Sequence, residues 1–248
     1  MKNIHGDFSS VCKIYNSVRP QMPDEVINFI LSEIENKNKM LDVGCGTGLI
    51  TKQFSKYVKE ITGTDNGEEM LETANRENKT NNIHYLFSRT EDLIFPDDTF
   101  DFITAFSSFH WFTNDIALSK IHTTLKPNGK YFAINRNMKG VFNELQRESN
   151  LIFKKYISEN IESKKSKCEP GILLANFGFK NVSNRVFSYT QNETREGLFN
   201  FLKTTSIYNI ISEDLKEQAE KEVCEYLSIK IDENFQKEFE IAVVQGQK

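Results

Sequence analysis

Three glycines at spacing two, Gly44, Gly46 and Gly48, follow the short run Met40-Leu41-Asp42-Val43. Glycine takes positive φ without strain and lets a ligand touch the backbone directly. The run carries one acid, Asp42, just before the first glycine, and a second acid, Asp65, lies 17 residues past Gly48. A dinucleotide loop requires G-x-G-x-x-G, but position 49 is Leu. A P-loop requires Gly-Lys-Ser/Thr, and this loop has no Lys. A carboxylate at Asp42 would repel a phosphate and attract an ammonium group. Asp65 can accept both hydroxyls of a ribose, and it can equally cap the helix that follows. Asp42, the glycines and Asp65 together describe a nucleoside with a positively charged amino-acid tail, a description that S-adenosylmethionine fits.

The elements that must hold these residues follow from periodicity. Val26, Ile27, Ile30, Leu31 and Ile34 recur at helical spacing behind Pro23, Asp24 and Glu25, so a helix is expected from about 23 to 36. Met40–Val43 reads as a buried strand that stops at the glycines. A helix is expected after Thr47, carrying Leu49, Ile50, Phe54 and Val58. A strand at 61–64 ends on Asp65, a helix spans 68–78, and Ile83, Tyr85 and Phe87 alternate as in a strand. Another strand covers 100–106, a helix capped at Thr113 or Asn114 runs to Leu125, and Pro127-Asn128-Gly129 turns the chain into a fifth strand at 131–134. Such alternation with short connections predicts a parallel sheet covered on both faces, a doubly wound α/β domain. Beyond it, the spacing predicts a long amphipathic helix over 141–161, a short helix over 172–177 closed by Gly178, late strands at 182–189 and 238–244, and helices over 194–205 and 213–228. No Gly/Ser/Pro-rich linker interrupts the chain, so one domain is expected over 1–248: an N-terminal lid and helix at 1–38, a cofactor-binding core at 39–136, and cover helices with the last strands at 137–248.

The segment Leu41-Asp42-Val43-Gly44-Cys45-Gly46-Thr47-Gly48 closely resembles the first motif of class I S-adenosylmethionine-dependent methyltransferases. The resemblance continues along the chain. Thr64-Asp65-Asn66-Gly67-Glu68-Glu69-Met70-Leu71 is similar to the family's ribose-binding segment. Arg89-Thr90-Glu91-Asp92-Leu93-Ile94-Phe95-Pro96 is similar to its adenine-contacting loop, with Glu91 or Asp92 near the adenine amino group. Asp101 to Phe112, including Phe106, Ser107, Ser108, His110 and Trp111, resembles the fourth motif, whose end faces the sulfonium in this fold. Leu125-Lys126-Pro127-Asn128-Gly129-Lys130 resembles the turn before the fifth strand. Phe8 to Pro23 shows the pattern F…Y-x-x-x-R-P-x-x-P at Tyr15, Arg19, Pro20 and Pro23, which with the His-Trp pair resembles the small-molecule group around trans-aconitate methyltransferase. The resemblance implies a Rossmann-like seven-stranded sheet of order 3-2-1-4-5-7-6, the last strand antiparallel, with helical additions. It also implies that Tyr15 and Arg19 fold over the cofactor.

Methyl transfer from a sulfonium needs alignment and exclusion of water more than a base. His110 can act as a base, as a donor to a carboxylate, or as a structural hydrogen-bond partner. Trp111, the only Trp, can donate its N–H to a carboxylate or simply pack. Arg19 suits a carboxylate of cofactor or substrate, and as a surface Arg before a proline turn it needs no ligand. Phe142, Phe199, Phe201, Tyr208 and Ile210 can roof an acceptor pocket or form core.

The 31 Lys+Arg and 35 Asp+Glu give a net charge of −4, which offers no cationic field for nucleic acid or anionic lipid. The fourth motif reads Ser107-Ser108-Phe109-His110, unlike the D/N-P-P-Y/F of base-amino methyltransferases. No apolar run reaches the ~20 residues of a membrane span, and the N-terminus lacks a signal-peptide stretch. Cys12, Cys45, Cys168 and Cys224 show no C-x-x-C spacing, so reduced thiols and no metal are expected. The expectation is a cytoplasmic enzyme, monomer or dimer, that methylates a carboxylate or hydroxyl oxygen of a small-molecule acceptor and engages neither nucleic acid nor membrane. The alternatives are a non-catalytic S-adenosylmethionine-binding protein and a nucleic-acid methyltransferase.

Overall fold

The computed structural model describes residues 15, 16, 18–157 and 169–248. Helix α1 (Asp24–Ser32) precedes β1 (Lys39–Val43), and β2 (Glu60–Asp65), α2 (Glu68–Glu77) and β3 (Ile83–Phe87) follow. Next come β4 (Phe100–Phe106), α3 (Asp115–Thr124), β5 (Leu125–Lys139), α4 (Gly140–Lys154) and α5 (Pro170–Phe177). The chain ends with β6 (Lys180–Thr194), α6 (Arg195–Lys203), α7 (Ser206–Asn209), α8 (Glu213–Lys230) and β7 (Asn234–Gln247). The seven strands form one sheet of order β3-β2-β1-β4-β5-β7-β6, with the last strand antiparallel. The order and the antiparallel last strand agree with the expectation.

The central strands pair parallel: β1 with β2 and β4, β2 with β3, and β4 with β5. Parallel strands are buried on both faces, and here their side chains divide accordingly. Leu41, Val43, Ile103, Ala105, Tyr131 and Ala133 pack with Ala117, Leu118 and Ile121 of α3 in one cluster. Met40, Phe102 and Phe132, offset by one residue, are also fully buried. Phe54 packs against Phe102 with ring centroids 6.2 Å apart. Truncating Phe102 to Ala would cost ~3–5 kcal/mol. Asp101 sets the start of β1, because Oδ2 accepts the amides of Asn38 and Lys39 at 2.8 and 2.7 Å while Oδ1 accepts from Lys126 Nζ at 2.6 Å.

The contacts divide the chain into two compact units. One comprises 21–136, 165–187 and 241–248, and the other 1–20, 137–164 and 188–240, so β5, β6 and β7 each run from one into the other. The first, the sheet unit, holds the cluster just described. The second, the helical unit, has its own core from Phe142, Leu145 and Phe153 of α4, Leu198, Phe201 and Leu202 of α6, Tyr208 of α7, and Ala219, Val223 and Leu227 of α8. Within it the nearly buried Lys237 pairs with Glu193.

Three local expectations change. The segment after the glycines is not an α-helix but a 3-10 turn, Thr51–Phe54. Its bonds run Gln53 N to Ile50 O at 2.9 Å and Ser55 N to Lys52 O at 3.1 Å. Three-residue winding puts i and i+3 on one side, which is how Thr51 and Phe54 both become fully buried. Pro127-Asn128-Gly129 does not precede the fifth strand but lies inside it. There the β4–β5 register jumps from Phe100↔Leu125 to Phe102↔Lys130, and Asn128 takes φ 66°. The long helix is described as α4 over Gly140–Lys154. Phe8, Cys12, Cys168, the basic run 163–167 and the rest of the expected helix beyond 157 lie outside the described residues. Cys45 and Cys224 are free thiols.

Candidate cofactor site

The carboxyl ends of β1, β2 and β4 adjoin because the three strands are neighbours in register. Asp42 lies opposite Gly63 on β2 and Thr104 on β4. All three glycines take left-handed φ: Gly44 66°, Gly46 56° and Gly48 71°. Two of them are packed from behind. A Cβ on Gly44 would stand 2.6 Å from Ser108 Cβ, and one on Gly48 would overlap the Tyr85 phenol, whereas Gly46 has nothing within 4 Å. The turn is therefore buttressed on both shoulders and open at its middle.

Asp42 is 1% exposed. Thr51 Oγ1 donates to its Oδ2 at 2.6 Å and Thr104 Oγ1 to its Oδ1 at 2.9 Å. Burial pushes its pKa up to about 7 against those two hydrogen bonds, and the Asp65 charge adds to the rise. Both Asp42 oxygens are thus engaged by threonine hydroxyls inside the fold.

Asp65 closes the other side of the turn. Gly46 N donates to Oδ2 at 2.8 Å and Gly67 N to Oδ1 at 2.9 Å. Gly67 is the N-cap residue of α2, so Asp65 serves the helix start as well as the glycine turn. Each carboxylate oxygen has two lone pairs, so the carboxylate keeps acceptor capacity for a ribose hydroxyl beyond its backbone amides. Burial raises the Asp65 pKa, and the amides of Gly46, Gly67 and Asn66 oppose the rise. Among the described residues no basic side chain is a cause of either shift.

The remaining expected residues separate by place. Thr47 is buried, and its carbonyl accepts from Asn78 Nδ2 at 2.8 Å. Asn66 is exposed and Met70 is buried beside Gly67. Thr90 is buried in a 3-10 turn, Thr90–Asp92, whose Asp92 is exposed. Glu91 Oε1 accepts from Asn114 Nδ2 at 2.8 Å, and Oε2 lies 3.6 Å from Arg89 Nε. Phe106 is half-buried with its ring 5.8 Å from that of Phe54.

Ser107, exposed at the end of β4, takes φ 53°. A non-glycine residue there carries strain. The surroundings hold it: Ser107 N donates to Ile134 O at 2.7 Å and Ser108 Oγ to Val43 O at 2.9 Å. The 3-10 turn Phe109–Trp111 follows, with the His110 and Trp111 rings 4.7 Å apart and both residues half-buried. Trp111 packs against the edge of the sheet-unit core.

Tyr15 and Arg19 belong to the helical unit. There the Arg19 guanidinium donates to Thr204 Oγ1 and Thr204 O, both at 3.1 Å, and lies 4.5 Å from the Phe201 ring centre and 5.1 Å from that of Tyr15. Of the apolar residues offered as a roof, Phe142, Phe201 and Tyr208 are buried in that unit's core, while Phe199 and Ile210 are half-buried. Four contributors went unread in the sequence: Thr51 and Thr104, which hold Asp42; Tyr85, which backs Gly48; and Asn114 as a partner of Glu91. The signal for the threonines was a hydroxyl residue inside an otherwise apolar buried run. Among the described residues no cluster of His, Cys, Asp and Glu could hold a metal ion, and no helix is long and apolar enough to cross a membrane.

Residues 41–133, which include the glycine turn, Asp42, Asp65 and the His110–Trp111 turn, match the methyltransferase domain family. A protein named as a methyltransferase in Dictyostelium discoideum is 27% identical over 155 residues, 62% of this chain and 57% of that protein. The chain thus spans little more than half the length of that relative. An uncharacterized methyltransferase of Schizosaccharomyces pombe is 25% identical over 217 residues, 86% of this chain and 84% of its own. A solved structure from Anaeromyxobacter dehalogenans, described as a candidate type II methyltransferase, superposes with TM-score 0.70 at 16% identity over 92% of this chain and 97% of that one, a likeness of fold. The sheet order, the left-handed glycine turn and the acids at two strand ends thus lie in a region that matches the methyltransferase domain family, and the chain is similar to class I S-adenosylmethionine-dependent methyltransferases.

Proposed function

We propose that the protein transfers the methyl group of S-adenosylmethionine to an oxygen, of a carboxylate or a hydroxyl, on a small organic acceptor. The observation that carries the cofactor half is the Asp65 carboxylate, fixed by the Gly46 and Gly67 amides with acceptor capacity to spare. The open middle of the turn at Gly46 leaves room for the ligand to approach the backbone. S-adenosylmethionine supplies an electrophilic methyl on a sulfonium. Asp65 would take the ribose hydroxyls. Asp42 would set a potential favourable to the positive charge, and Asp92, exposed in its turn, offers a carboxylate to the adenine amino group.

Chemistry on the acceptor side is assigned to His110 and Trp111 at the end of β4. The displacement is in-line, with the acceptor oxygen ~3–3.5 Å from the methyl carbon. Trp111 Nε1–H orients an acceptor carboxylate, which has no proton to lose. His110 donates to the same carboxylate, or it takes the proton from a hydroxyl acceptor. Support for a small acceptor comes from the net charge of −4, which gives no attraction to a polyanion. The test is a panel of carboxylic acids, alcohols, amines and RNA incubated with S-adenosylmethionine, read by S-adenosylhomocysteine formation. Turnover confined to acids or alcohols supports the reading. Turnover on amines or RNA alone overturns the oxygen assignment.

A further inference from the structure

Asn114 ties the Thr90–Asp92 turn to the start of α3, 23 positions along the chain from Glu91. Its Oδ1 accepts the Ala117 amide at 3.0 Å and caps α3, the helix that directly follows the His110–Trp111 turn. That bond fixes the side-chain amide's orientation and aims Nδ2 outward, where it donates to Glu91 Oε1 at 2.8 Å. Glu91 is the middle residue of the Thr90–Asp92 turn. Its other oxygen lies 3.6 Å from Arg89 Nε, and Arg89 is 62% exposed, a surface pair that contributes little by itself.

The geometry points to Asn114 as a positioning residue. Through Glu91 it latches the adenine-side turn to the helix cap behind the acceptor-side turn, so that cofactor and acceptor residues share one frame. Glu91 then serves as the latch partner, and Asp92 is left to face the ligand. The inference rests on the cofactor reading above and extends it to how the two turns are kept in register.

The bond can be broken without touching the cap. Asn114→Asp keeps an acceptor that is as good as Asn at an N-cap but sets a carboxylate against the Glu91 carboxylate. Glu91→Gln keeps an acceptor for Asn114 Nδ2. In the double variant Asn114→Asp/Glu91→Gln the new amide donates to the new carboxylate, and the bond is remade with its polarity reversed. Two readouts are taken on all four proteins. One is hydrogen exchange of the Asp92 amide, which donates to Arg89 O at 3.1 Å, in the ligand-free state. The other is S-adenosylhomocysteine affinity by calorimetry.

The expected result is one melting temperature for all four. Asn114→Asp should speed Asp92 exchange and weaken binding by about three- to tenfold, the size of one exposed charge-assisted hydrogen bond. Glu91→Gln should stay near the parent, and the double variant should return to within about twofold of it. Unchanged exchange in Asn114→Asp, or a double variant as impaired as that single, overturns the latch. If the parent binds no S-adenosylhomocysteine while the exchange pattern holds, the cofactor reading falls and the tie between the turns stands.

Discussion

Asp42 offers a test of whether the glycine turn favours a cation. Its carboxyl is fully enclosed, held only by two hydroxyls, and its pKa is pushed from 3.8 up to about 7, chiefly by burial. An acid whose pKa is higher folded than unfolded keeps its proton in the native state after the unfolded chain has lost it. Stability therefore falls as pH rises from about 4 to about 7 and is level on either side. At ~1.4 kcal/mol per unit, that span withholds about 4 kcal/mol from the protein above pH 7. Asp42→Asn removes the charge and keeps both hydroxyl contacts, since an amide accepts from one threonine and donates to the other. Allowing about 1 kcal/mol for altered hydrogen bonding, the variant should be more stable than the parent by about 3 kcal/mol at pH 8 and less stable by about 1 kcal/mol near pH 4. The assay is urea unfolding of both proteins at steps between those limits. A binding titration alongside should show S-adenosylhomocysteine affinity of the parent rising with pH up to about 7, because the ligand's ammonium favours the ionised carboxylate, and no such rise in the variant. Parallel stability curves, or a variant less stable than the parent above pH 7, would refute the uncompensated buried charge.

Other perturbations separate holding the fold from holding the ligand. Gly46→Ala should fold with a loss of only ~1–2 kcal/mol for its left-handed φ and lose cofactor binding. Gly48→Ala adds overlap with the Tyr85 phenol and should lose a further ~1–3 kcal/mol; chemical denaturation giving the two the same stability would contradict the buttressed-turn description. His110→Ala and Trp111→Phe should lower kcat at least tenfold while leaving S-adenosylhomocysteine affinity within about twofold. A loss of cofactor affinity equal to the loss in rate would move both residues from the acceptor side to the cofactor side.

The glycine turn and the strands around it were legible in the sequence because their signals are local. Glycines at spacing two permit a left-handed turn, and Asp65 sits at the end of a buried strand. The strands themselves are short apolar runs bounded by breakers. What escaped notice depends on neighbours far along the chain. That Asp42 points into Thr51 and Thr104, and not at a ligand, follows from the β1–β4 register, which pairs residues 62 apart. Tyr85 looked like one member of an alternating strand, and its role behind Gly48 exists only once β3 lies beside β2. The segment after the glycines carried a helical pattern, yet three-residue winding buries Thr51 and Phe54 equally well, and local propensity could not choose between the two. Arg19 reads in the sequence as a carboxylate ligand or a surface Arg, and its contact with Thr204, 185 positions away, carries no local signal.

The most direct measurement is calorimetric titration of the protein and of Asp65→Ala with S-adenosylhomocysteine. Binding at one site per chain is predicted for the parent, with affinity at least tenfold weaker in Asp65→Ala, as for loss of charged hydrogen bonds to a ribose. Affinity unchanged by that substitution, or no binding by a folded parent protein, would contradict the assignment of this turn and its acids to S-adenosylmethionine.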